Sequence, residues 1–161
     1  MGVGRKISQS AQPLYHTDFH AWSEEQARAI RQGRFDDLDI ENVAEEIESL
    51  GKTERRELQS RLEVILLHLL NWAYQSKKRS RSWRNSIDQQ RARVAILLRK
   101  NPSIKANFSE ELSDAYDLAR QSAGNEMGLQ PKEWQRKFPA KCPWSASQIL
   151  EDSFLPDSPT T

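Results

Sequence analysis

The residues best suited to chemistry in this chain are glutamates and one histidine. Glu45, Glu46 and Glu48 precede His68 by about twenty positions. Carboxylates and an imidazole projecting into a helical bundle are the ingredients of a bundle-core metal site. Such sites normally draw a Glu-x-x-His pair from each of two helices. Here Val64, Ile65 and Leu66 precede His68, so the carboxylate of that pair is missing, and Glu46 is the residue best placed to turn inward. The competing reading of His68 is a half-buried histidine with a structural partner. His16 and His20 form a second, weaker pair at i, i+4 with Asp18 between them and Glu24 beyond. A helix is expected to begin between them, which would separate the two rings.

The second candidate is cationic. Lys77, Lys78, Arg79, Arg81 and Arg84 crowd one short connection, with Arg91 and Arg93 further along. Such side chains neutralise phosphates, and a helix start just after them would offer free N–H groups to an anion. Trp72, Tyr74 and Trp83 flank the connection and are of the type that stacks on bases. The competing reading is a solvated loop, with the tryptophans as core anchors and the cations paired to acids.

Other chemistries lack their motifs. No phosphate-binding loop, glycine-rich dinucleotide fingerprint or Ser-His-Asp context is present, and only six glycines occur. Cys142 is the only cysteine, which excludes an intramolecular disulfide and a cysteine-rich zinc site. It is either a reactive thiol beside Lys141 or a small apolar filler. No cofactor is expected.

Overall charge is nearly balanced, 24 basic against 23 acidic residues, but its distribution is not. Residues 36–63 carry ten acids against four bases; residues 77–100 carry nine bases against one acid. Apolar residues make up 37% of the chain and mean hydropathy is −0.81. Pattern must therefore separate folded from disordered segments. Met1 to Gln12 lacks the apolar run of a secretory leader, and the apolar stretch from Leu62 to Ala73 is too short and too polar to span a bilayer. The expected setting is the cytoplasm, without a membrane partner.

Helices must position these groups. Met1 to Leu14 reads as a mobile tail. Thr17 or Asp18 can cap a helix ending before Gly33. Asp39 can cap a second helix with Ile40, Val43, Ile47 and Leu50 inward and Glu41, Glu45 and Glu48 outward, stopped or kinked at Gly51. From Thr53 to Gln75 apolar residues recur at spacings of 3 and 4 and cover most sides, the mark of a central helix. Ser80 or Ser82 begins a fourth helix that ends before Asn101-Pro102, and Ser109 begins a fifth. Pro131 and Ser145 open short helices, and residues 157–161 should fray. The expected fold is a single all-α bundle of five or six helices, over residues 15–156, with the acidic second helix beside the basic fourth.

Several blocks together resemble a known family. They are Tyr15-His16-Thr17-Asp18-Phe19-His20-Ala21-Trp22, Leu38 to Gly51, Glu54-Arg55-Arg56-Glu57-Leu58, Leu66 to Trp72, Ser80-Arg81-Ser82-Trp83, Cys142-Pro143-Trp144 and Phe154-Leu155-Pro156. They are similar to the DUF29 family of bacterial domains of unknown function, frequent in cyanobacteria and some proteobacteria. The resemblance implies an all-α bundle and carries over no catalytic or ligand residue.

Three functions follow, in this order. The first is a module that binds another protein or itself, because two uneven charge faces steer and select partners. The second is binding of nucleic acid or another polyanion through Lys77, Lys78, Arg79, Arg81, Arg84 and Arg91. The third is a metal-binding or enzymatic bundle built on Glu45, Glu46, Glu48 and His68.

Overall fold

The computed structural model describes residues 11–159, and every regular element among them is helical. The expectations for the first ten residues and the last two lie outside the described residues. The described residues group into two compact units that divide between Thr53 and Glu54. Seven α-helices are present among the described residues: α1 (Ala11–Thr17), α2 (Phe19–Arg31), α3 (Ile40–Tyr74), α4 (Arg81–Lys100), α5 (Phe108–Glu126), α6 (Pro131–Lys137) and α7 (Ala146–Leu150). None is long and apolar enough to cross a membrane.

The first unit holds α1, α2, a 3-10 turn at Phe35–Asp37 and the start of α3. Helix α1 occupies part of the segment expected to be tail. The Asp18 carboxylate accepts from the Ala21 N–H at 3.0 Å and starts α2. Gly33, at φ +69°, ends it in the left-handed conformation that only glycine adopts without strain. Few residues are buried here: Trp22, Ala29 and the polar Gln26 and Asp39. Hydrogen bonds fix what little core there is. Trp22 Nε1 donates to Asp39 Oδ2 at 3.2 Å, the Asp39 N–H donates to Gln26 Oε1 at 2.8 Å, and Asn42 Nδ2 donates to Asp39 Oδ2 at 2.7 Å.

The second unit is built on the rest of α3. Leu58, Leu62, Ile65, Leu66, Leu69 and Leu70 are fully buried, which bears out the central helix. Each contributes on the order of 2 kcal/mol by leaving water. Ile87 and Val94 of α4 and Ala115, Ala119 and Ala123 of α5 pack into the same cluster, closed by Phe138 and Ile149. Ser80 caps α4 through the Trp83 N–H at 3.2 Å, and Ser145 and Gln148 form a reciprocal capping box on α7.

Gly51 does not break the chain: α3 is continuous through it. A glycine in a helix interior costs only about 1 kcal/mol relative to alanine. The Thr53 hydroxyl donates to the Ser49 carbonyl at 3.0 Å within it.

Candidate interaction surfaces

On the first unit the feature that stands out is an uncovered apolar stripe. Ile40, Val43, Ile47 and Leu50 lie at i, i+3, i+7 and i+10 on α3, the spacing of a helix-pairing seam. The sequence placed them inward. Instead Ile40 is 50%, Ile47 63% and Leu50 69% exposed, with Val43 half-buried. Phe19, Ile30 and Phe35 of the same unit are also exposed. Periodicity located the stripe; it held no information about whether a neighbour covers it.

Acids occupy other faces of the same turns of α3. Glu41, Glu45 and Glu48 are exposed and form no ion pair among the described residues. No basic residue occurs between Arg34 and Lys52. Glu46 is engaged: its Oε1 accepts from the Tyr15 hydroxyl at 2.6 Å. That bond, helped by the charges of Glu46 and Glu45, pushes the Tyr15 phenol up to about 12.

This geometry does not assemble the metal site considered from sequence. Glu46 is bonded to Tyr15, Glu45 and Glu48 stand in solvent, and His68 belongs to the second unit. The expected site needed two helices able to face each other, and all four residues instead occupy one continuous helix. Among the described residues no group of three or more His, Cys, Asp or Glu side chains is placed to hold a metal ion. His16 and His20 fall on separate helices, and His20 lies 3.9 Å from Glu24.

His68 is half-buried, its Nδ1 enclosed without a hydrogen-bond partner. Burial lowers its pKa below the usual histidine value, opposed by the charge of Glu126. Beside it Asn71 is fully buried, donating to Glu126 Oε2 at 2.6 Å and accepting from Gln75 Nε2 at 3.1 Å. Cys142 is half-buried, and burial pushes its thiol up, away from the reactive thiolate.

The cationic set separates into three kinds of residue. Lys77, Lys78, Arg81 and Arg84 are exposed, and their side chains form no ion pair or hydrogen bond among the described residues. Arg79 is tied down. Its Nε donates to the Trp72 carbonyl at 2.8 Å, its Nη2 to Ser158 Oγ at 3.0 Å, and its guanidinium stands 5.3 Å from the centre of the Trp72 ring. Arg91 leaves the set altogether. It is 3% exposed and donates to the carbonyls of Ile149, Asp152 and Phe154. Its place between Ile87 and Val94, inside the apolar stripe of α4, was the signal for burial.

No curated protein and no solved structure matches the chain. Residues 14–155 match the family described as "Domain of unknown function DUF29", nearly the whole length. The resemblance seen in the sequence blocks is thereby established, and the chain belongs to the DUF29 family.

Proposed function

We propose that this protein is a docking module that receives a basic, amphipathic helix of a partner protein along the first turns of α3. The observation that carries this reading is the exposure of Ile40, Ile47 and Leu50 on one helical face. Exposed apolar stripes of this kind mark interaction sites, and anchors at i, i+3 and i+7 suit helix-against-helix recognition. Charge selects the occupant. The turns that carry the stripe also carry Glu41, Glu45, Glu46 and Glu48 and no base, so a second copy laid along them would bring acid towards acid. Lysine or arginine beside the incoming apolar face would be matched, which raises both encounter rate and selectivity.

The test uses the full chain and a synthetic helical peptide with leucine anchors at the same spacing and lysines on both flanks. Binding read by fluorescence anisotropy is expected, weakening with salt and by at least about tenfold in the double variant Ile47→Ser/Leu50→Ser. A peptide with the same leucines and glutamate flanks should not bind. Equal binding of both peptides would remove the electrostatic selection. A dimer in sedimentation that Ile47→Ser/Leu50→Ser dissolves would make a second copy the occupant and overturn the proposal.

A further inference from the structure

The second unit carries a surface of opposite character. By sequence, residues 54–161 hold eighteen basic against thirteen acidic side chains, whereas residues 1–53 hold six against ten. We infer that the turn from α3 into α4 binds the phosphate backbone of duplex nucleic acid through Lys77, Lys78, Arg81 and Arg84, without reading base sequence.

Three observations lead there. The first is that these four cations have no partner among the described residues, while other arginines of the unit do. Arg55 pairs with Glu110 and Glu111, Arg61 with Glu57, and Arg120 with Asp117. An exposed cation next to available carboxylates gains little by pairing. Four left together without an ion pair among the described residues instead create a local positive potential.

The second is where two of them sit. Arg81 and Arg84 occupy the first turn of α4, which holds no acid. The helix dipole places positive charge at that end, so two cations there are disfavoured. A phosphate on the same spot relieves that repulsion as well as pairing with the side chains.

The third is rigidity. Ser80 caps α4, and Arg79 fastens the turn to the Trp72 carbonyl and to Ser158. The free cations therefore leave from a braced backbone, and less ordering is required when they bind.

The same contacts define what the surface does not do. Arg79 stands over the Trp72 ring, and Trp83 is half-buried, so neither is an open platform for stacking bases. Recognition then falls to phosphates, which position a ligand without specifying its sequence. None of the exposed large apolar residues lies in the turn, so it lacks the inserting side chains of a membrane-surface helix.

The experiment titrates the full chain against a short mixed-sequence DNA duplex by anisotropy over a range of salt. With four phosphates neutralised, log K should fall against log salt with a slope of about −3.6, at 0.9 per contact. Arg81→Ala/Arg84→Ala should make that slope shallower by about 2 and weaken binding at low salt by more than about tenfold. Arg99→Ala/Lys100→Ala, at the far end of α4, should leave both unchanged. A duplex of unrelated sequence should bind equally. The four side chains form no hydrogen bond or ion pair among the described residues, so circular dichroism should show each variant folded at the assay temperature. The inference is overturned if the two double variants weaken binding alike, if one duplex sequence is strongly preferred, or if phosphatidylserine vesicles bind and the duplex does not. Seam variants on the first unit should not alter duplex binding, so this proposal and the docking proposal fail separately.

Discussion

A β-carbon placed on Gly124 would lie 2.5 Å from Cγ and Cδ1 of Trp134. Helix α6 therefore brings its tryptophan against the bare backbone of α5, a contact only glycine allows. Gly51, within α3, has nothing within 4 Å of the equivalent position. One substitution should thus have opposite signs at two helical sites. Gly51→Ala should stabilise by up to about 1 kcal/mol, because alanine loses less entropy in a helix. Gly124→Ala should destabilise by about 1–3 kcal/mol, since overpacking outweighs the helical gain. Urea denaturation of both variants checks the pair, and the same sign at both sites would contradict the packing described.

Arg91 should be the most sensitive charged residue of the second unit. Its three donors reach the carbonyls of Ile149, Asp152 and Phe154 at 2.8, 3.3 and 2.9 Å. Arg91→Met keeps bulk but leaves those carbonyls without their donors, at a cost of at least about 2 kcal/mol. Arg91→Lys should fail nearly as badly, because an ammonium cannot reproduce the planar fork. Amide exchange should rise first between residues 149 and 155. An unchanged exchange pattern there would show that the segment is held by other contacts.

The pH response should be traceable to His68. Burial lowers its folded-state pKa below 6.5, so the unfolded chain takes up its proton first as pH falls. The stability tied to neutral His68 is thus complete above about 6.5 and is lost as pH falls below it, levelling off once the folded state also protonates. His68→Leu should flatten this decline, which sets in below about pH 6.5. Glu126→Gln removes the opposing charge and should extend the decline to lower pH. Urea midpoints above and below about pH 6.5, with an NMR titration of the imidazole, provide the measurement. A midpoint that rises on acidification would reverse the sign.

Much of the helical order was legible in the sequence because caps and stripes are local. Asp18, Gly33, Ser80, Pro131 and Ser145 each mark a helix end where one occurs. The stripe from Leu58 to Ala73 marked the central helix for the same reason. What was not legible depends on neighbours distant in the chain. Gly51 reads as a stop, yet its small helical cost is absorbed in α3. Ile47 and Leu50 read as core, yet both are exposed. Arg91 reads as surface charge, yet the carbonyls that bind it lie about sixty residues further on. For the candidate sites, residue type identified the unpaired cations at 77–84. It did not tell that Arg79 alone among them is fastened in place.

The seam should depend on a buried polar residue at its start. Asp39 is 3% exposed and links three parts of the first unit, through Trp22, Gln26 and Asn42. Its carbonyl also accepts from the Val43 N–H at 2.9 Å, which makes it the entry to α3. Asp39→Ala removes a carboxylate acceptor from the Trp22 indole and from Asn42, at about 1–3 kcal/mol for buried donors left unmatched. Asp39→Asn retains one acceptor oxygen and should cost less. The loss should be local: faster amide exchange from Phe19 to Leu50, with the buried turns around Leu62 and Leu66 protected as before. If the seam works as a rigid face, Asp39→Ala should also weaken the basic peptide although Ile47 and Leu50 are intact. Faster exchange with unaltered peptide affinity would mean that α3 presents its stripe without support from α2, and the link from the Trp22–Asp39 bond to docking would be broken.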